Sequence, residues 1–171
     1  MSKVDLSVIG TKTEPIVFEY TWQDVVLYNI GVGAGAKDLA FVYENTSGGL
    51  KVLPSFCVVP AMRAFPRLGD DLEWSLMLHG EQVIRLSRPL APEGKIIQVG
   101  EVLNIYDKGK GAVYRIRIKG RTEDGKDLYE AEWSIFLFRC RRIWRRSRAK
   151  SRKNCSARGN RTGLQHLRKS C

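Results

Sequence analysis

The sequence predicts an α+β fold, an antiparallel sheet curled around one apolar helix, followed by a basic tail. Three observations carry this. Segments in the second half alternate apolar and polar side chains with period two. Short links rich in Gly, Asp and Pro join them. Upstream, Leu53–Met62 is an apolar run of helical length, with Pro54 placed for a first turn.

In chain order, Ile16–Tyr20 is a short strand candidate. Thr21 follows as an N-cap, with Asp24 as the acid of a capping box. Trp22, Val25, Val26 and Ile30 recur near helical spacing, so 22–30 reads as an amphipathic helix. Gly31, Gly33 and Gly35 end it. A phosphate-cradling loop would place its glycines before a helix and follow them with Gly-Lys-Ser/Thr, so these read as a helix stop. Leu39–Tyr43 is a second short apolar run, read as a strand with Glu44 at its end. In the 53–62 helix, Pro60 is expected to kink or end the element. The chain from Met62 to Leu76 reads as irregular, with the Asp70-Asp71 pair in a loop. Strands are expected at Gln82–Arg88, Lys95–Tyr106, Ala112–Lys119 and Leu128–Phe138. In the last, Tyr129, Ala131, Trp133, Ile135 and Leu137 share one face, and Glu130, Glu132 and Ser134 the other. Turn chemistry at Ala91–Gly94, Asp107–Gly111 and Glu123–Gly125 predicts a four-strand meander.

The 171 residues suit one domain and a tail, divided as 1–138 and 139–171. A 43% hydrophobic content excludes a wholly disordered chain. No run of 18 apolar residues spans a membrane, the first ten residues lack a signal peptide's apolar core, and Lys-Ser-Cys is no peroxisomal address. If the source is a bacterium, the cytoplasm is the expected compartment. Of the 29 Lys and Arg, 13 lie in 139–171 and 16 in 1–138, whereas all 18 Asp and Glu lie in 1–138. The basic character therefore belongs to the tail. Cys140, Cys155 and Cys171 sit there too, which leaves Cys57 alone in the body and excludes a disulfide framework. The tail reads as a disordered basic extension. Arg141, Arg142, Arg145 and Arg146 are its polyanion-binding candidates, which keeps a nucleic-acid-binding module as one alternative. The spacing of Cys155, His166 and Cys171 fits no compact zinc knuckle, and no metal site is expected.

Catalytic groups are sparse. No Ser/His/Asp set is visible. His79 and Glu81 stand two apart just before an expected strand, so they could share a face and move a proton. A stand-alone homodimeric dehydratase or thioesterase using that pair is the second alternative.

Several segments together carry a resemblance. They are Asp24–Ala34 (DVVLYNIGVGA), Asp38–Glu44 (DLAFVYE), Val52–Val59 (VLPSFCVV), Leu78–Gln82 (LHGEQ), Arg88–Leu90 (RPL) and Val102–Val113 (VLNIYDKGKGAV). In this order, over roughly residues 15 to 138, the chain resembles the N-terminal half of (3R)-specific enoyl-CoA hydratase 2. That family includes MaoC-like dehydratases and the hydratase part of the peroxisomal multifunctional enzyme. The resemblance implies a hot-dog fold with Pro54–Met62 as its central helix. It implies an acyl-CoA-associated domain of an enzyme that hydrates 2-enoyl-CoA to (3R)-hydroxyacyl-CoA in fatty acid metabolism. A CoA thioester is then the substrate, no cofactor is expected, and the partner is a catalytic hot-dog half or a second copy. Glu44, Phe56, His79 and Glu81 become the candidates for lining the cleft. The catalytic half of the family holds Gly-Asp-x-Asn-Pro-x-His. The corresponding place here, Ile30–Asp38, has neither His nor Asn-Pro, so no catalytic residue is assigned and the chain is expected to be inactive alone.

After Phe-Leu the family continues with a Gly-Ala-Gly-Gly-Phe-Gly-Gly-like linker. Here the chain reads Arg139-Cys-Arg-Arg-Ile-Trp-Arg-Arg146. Codons CGG TGC CGG CGG ATT TGG CGG AGG, one synonymous choice for these eight residues, encode that linker when shifted by one base. A frameshift near Phe138 is the expectation this raises. A neighbouring frame without the catalytic motif downstream would dismiss it.

Overall fold

The computed structural model describes residues 4–69 and 74–138. The Asp70-Asp71 pair and the tail candidates Arg141, Arg142, Arg145 and Arg146 lie outside the described residues. Five strands form one antiparallel sheet: β1 (Ile16–Tyr20), β2 (Met77–Leu86), β3 (Gly94–Asp107), β4 (Gly111–Arg121) and β5 (Asp127–Phe138). Among the described residues, three α-helices precede β2: α1 (Trp22–Gly31), α2 (Leu39–Val42) and α3 (Val58–Arg63). No helix among the described residues is long and apolar enough to cross a membrane.

Period-two patterning builds the sheet as expected. On β5, Tyr129, Ala131, Trp133, Ile135 and Leu137 are buried, and on β4 so are Tyr114, Ile116 and Ile118. These side chains form the concave floor, and each such burial contributes about 1.5–3 kcal/mol. The alternate residues form a charged outer face. Glu132 accepts from both Arg115 and Arg85, the latter at 2.9 Å. Arg117 pairs with Glu101 at 2.8 Å, and Lys119 with Glu130 at 3.4 Å.

Strand order departs from a simple meander. It runs β1-β3-β4-β5-β2, so only β3, β4 and β5 follow one another. The strand expected at 82–88 begins at Met77 and pairs with β5, not with β3. Its link to β3 includes the Ala91–Gly94 segment expected to be a hairpin turn. It crosses three strand spacings, about 14 Å, well within reach of residues 87–93 at roughly 3.3 Å each. The Tyr20 hydroxyl donates to the Ala91 carbonyl at 2.9 Å and ties this crossover to β1. The link spends no residues on a tight turn because the curl makes the crossing short.

The helical segments also correct the expectation in detail. The 22–30 helix is α1, and the Asp24 carboxylate takes both the Thr21 N–H, at 2.8 Å, and its hydroxyl, at 2.9 Å. The apolar run after Asp38 is the short helix α2 rather than a strand; the Asp38 carbonyl accepts from the Phe41 N–H at 2.8 Å, and its carboxylate takes the Gly35 N–H at 3.0 Å in the turn before the helix. The expected 53–62 helix is a 3₁₀ turn, Pro54–Cys57, leading directly into α3. Pro60 neither ends nor breaks it. It sits in the first turn of α3, where a missing N–H is tolerated. Phe56, Cys57, Pro60, Ala61 and Ala64 are buried, and α3 packs against β1, β3 and β4. The central helix inside the curl is therefore present.

Candidate functional site

The curl is filled unevenly. α3 packs against β1, β3 and β4, and Phe65 sets its ring edge-on to Trp133 of β5 at 5.6 Å. No residue of β2 is fully buried. Register puts Met77, Gln82, Ile84 and Leu86 of β2 beside Leu137, Trp133, Ala131 and Tyr129, hence on the concave side. This half-covered flank lies along a free sheet edge.

A β-bulge at Gly80 decides where the sequence candidates point. His79 pairs with Ile135, and Glu81 with Ser134. Those two β5 residues are consecutive and face opposite sides of the sheet. His79 therefore lies on the concave side. Glu81 lies on the outer face, where the Ser134 hydroxyl donates to its carboxylate at 3.0 Å. The expected His79–Glu81 partnership does not form, because the extra residue of the bulge reverses the alternation. Gly80 suits that backbone, since a Cβ there would stand 3.2 Å from the Ser134 carbonyl.

The other candidates separate as well. Phe56 is 1% exposed and packs on the rings of Tyr20 at 5.2 Å and Tyr28 at 5.5 Å, so it is a core residue rather than cleft lining. Glu44 is exposed in the turn after α2, not at a strand end, and its Oε1 accepts from Asn45 Nδ2 at 3.2 Å. The four candidates do not form one cluster.

Sequence reasoning missed the buried polar groups. Tyr129 donates its hydroxyl to Gln98 Oε1, two strands away, across Gly120, where a Cβ would collide with the ring. Burial pushes the Tyr129 phenol far up, the Cys57 thiol to about 11 and the Tyr20 phenol to about 12. All three are held protonated at neutral pH and none is a poised base. On the cleft flank, Gln82 Nε2 donates to the Glu132 carbonyl at 3.1 Å, while its Oε1 is buried with no partner among the described residues. A polar residue amid the apolar positions of β2 was the only available signal for it. A depression of about 230 Å³ near the end of β2 holds Arg85 and Lys119, but Glu130 and Glu132 already neutralise both. Among the described residues, no group of three His, Cys, Asp or Glu could hold a metal. This surface can bind and shape a ligand. It shows no assembled pair for moving protons.

A sheet curled around a short central helix, with one flank left open at an edge strand, is the hot-dog fold. The chain belongs to the MFE-2 hydratase 2 N-terminal domain family, whose model matches residues 18–139. It is 45% identical over 121 residues to 3-hydroxyacyl-thioester dehydratase Y of Mycobacterium tuberculosis, covering 69% of this chain and 41% of that one. Its backbone is similar to the crystal structure of a MaoC-like dehydratase from Phytophthora capsici, with a TM-score of 0.67 and 24% identity over 80% of this chain and 50% of that one. The (3R)-hydroxyacyl-ACP dehydratase complex HadBC of Mycobacterium tuberculosis shares the fold, with a TM-score of 0.62 and 13% identity over 75% of this chain and 96% of the matched chain. The chain thus spans about half the length of the first two proteins. The family match ends at 139, shortly after the last acidic residue, Glu132.

Proposed function

We propose that this chain is the non-catalytic half of an enoyl-CoA hydratase 2, acting on CoA thioesters of fatty acid metabolism. One observation carries the reading. The ordered match to a hydratase 2 N-terminal domain coincides with a concave flank that, among the described residues, bears one histidine and no acid beside it. Addition of water across a 2-enoyl thioester needs a base to take a proton and an acid to return it. Without that pair, roughly 10²–10⁴ of rate is forfeited. A second hot-dog half supplies it in this reading, seated along the free edge of β2, whose unpaired backbone is available for another strand. This chain supplies the facing wall: the β2 flank for the acyl group, with His79 and Glu44 at the rim. Phe56 contributes only by packing, and Glu81 not at all. That a dehydratase of this fold occurs as the HadBC complex supports pairing in trans. The purified chain, assayed with crotonyl-CoA, should bind it weakly and leave it unhydrated. Hydration should return on mixing with a catalytic half that carries Gly-Asp-x-Asn-Pro-x-His. No gain on mixing, despite complex formation, would refute the assignment.

A further inference from the structure

One buried amide holds the base of the loop that carries Glu44. Asn29 lies in α1, 0% exposed, one turn after the buried Val25. Its Nδ2 donates to the Phe41 carbonyl at 2.8 Å and to the Lys51 carbonyl at 3.1 Å. Next to them the Lys51 N–H donates to the Ala40 carbonyl at 2.7 Å. These bonds bring the end of α2 against residue 51, so residues 43–50 form a loop closed at its base, of the Ω kind. Leu50 is buried at the end of the loop, while Tyr43, Glu44 and Asn45 are exposed. The return of the loop runs through Gly48 and Gly49, at φ +91° and +78°, with the Gly49 N–H donating to the Thr46 carbonyl at 2.9 Å.

We infer that Asn29 is a positioning residue for Glu44, acting through the Phe41 and Lys51 carbonyls. A carboxylate on a loop has a defined place only if the loop is fixed to a rigid element. α1 is such an element, since Tyr28 packs edge-on against the buried Phe56 at 5.5 Å. The side-chain type is specific. Two carbonyl oxygens converge on one atom, and an amide nitrogen answers both. Aspartate has the same shape but would meet both carbonyls with lone pairs. The Oδ1 of Asn29 is buried with no partner among the described residues, a cost borne for this pair of donated bonds. The inference rests on the reading of Glu44 as a cleft-rim residue.

Asn29→Asp, Glu44→Gln and the double variant of the 171-residue chain test it, by amide hydrogen exchange and equilibrium binding of crotonyl-CoA. Asn29→Asp should speed exchange at Gly49 and Lys51 by roughly tenfold or more and leave β4 and β5 protected. Glu44→Gln should leave exchange unchanged. The two single variants and the double variant should lose crotonyl-CoA affinity by the same factor. Asn29→Ser, which introduces no buried charge, reports the same pattern should the aspartate variant fail to fold. Unchanged loop exchange, or affinity losses that multiply in the double variant, overturns the positioning role alone. No binding by the unaltered chain removes the reading of Glu44 and the positioning role with it.

Discussion

At Gly100 the end of α3 meets the sheet so closely that a Cβ would stand 1.9 Å from the Ala64 carbonyl oxygen and 3.1 Å from Pro66 Cδ. Neither obstacle is the far end of a flexible side chain. Gly100→Ala should therefore lift the helix end off β3 and cost about 1–3 kcal/mol. Circular dichroism should show a Tm lower by roughly 5–10 °C. Gly109→Ala, at an open turn with φ +75°, should cost only about 1 kcal/mol. Charge matters most at Glu132. Burial alone would raise its pKa, but hydrogen bonds from Arg115 and Arg85 outweigh that and hold it below the ordinary carboxylate range. The stabilisation is thus present above the unfolded carboxyl pKa and is lost as pH falls through the lower folded value. Glu132→Gln should cost about 1–2 kcal/mol at pH 7 and flatten the decline of stability below about pH 4.5. A denaturant series at pH 3 to 7 checks both. Cys57 behaves oppositely. Burial raises its thiol to about 11, so it stays neutral and enclosed. Peptide-level mass spectrometry should find it unalkylated in the native chain at pH 8 and labelled once unfolded.

Among the elements, legibility followed locality. The alternation of β4 and β5 could be read because each has one wet face and an unbroken period. β2 could not. The bulge at Gly80 interrupts its period, and its position at the sheet edge weakens the burial contrast. The run at 39–42 was too short to separate strand from helix by pattern. Pairing of β2 with β5 rather than β3 is a long-range choice that turn chemistry between neighbours does not encode. The site suffered from the same bulge, which sends His79 and Glu81 to opposite faces. The partners of Asn29 and Gln82 are backbone carbonyls, which side-chain patterns do not mark. Protection should follow the same division. β3, β4 and β5 share long ladders, so their amides should exchange slowest, while β2, paired on one side only, should exchange faster along its outer edge. Hydrogen exchange with mass readout checks this. Equal protection in β2 of a demonstrated monomer would contradict a free edge.

For the whole molecule, charge and fold are carried by different segments. The body to residue 138 holds every acid, and 139–171 holds 13 of the 29 basic residues. A chain ending at Phe138 should keep the far-ultraviolet spectrum of the sheet and lose any salt-sensitive retention of RNA. Retention that survives the cut would return nucleic acid to the body. The central claim is that this domain contributes a wall to a thioester cleft while the proton-moving groups belong to another half. Crotonyl-CoA hydration by the purified 171-residue chain, followed by loss of the ultraviolet absorbance of the enoyl thioester, tests that most directly. No turnover above the uncatalysed rate is the predicted result. Steady turnover that disappears on His79→Ala would contradict it, because the chain would then carry its own catalytic group.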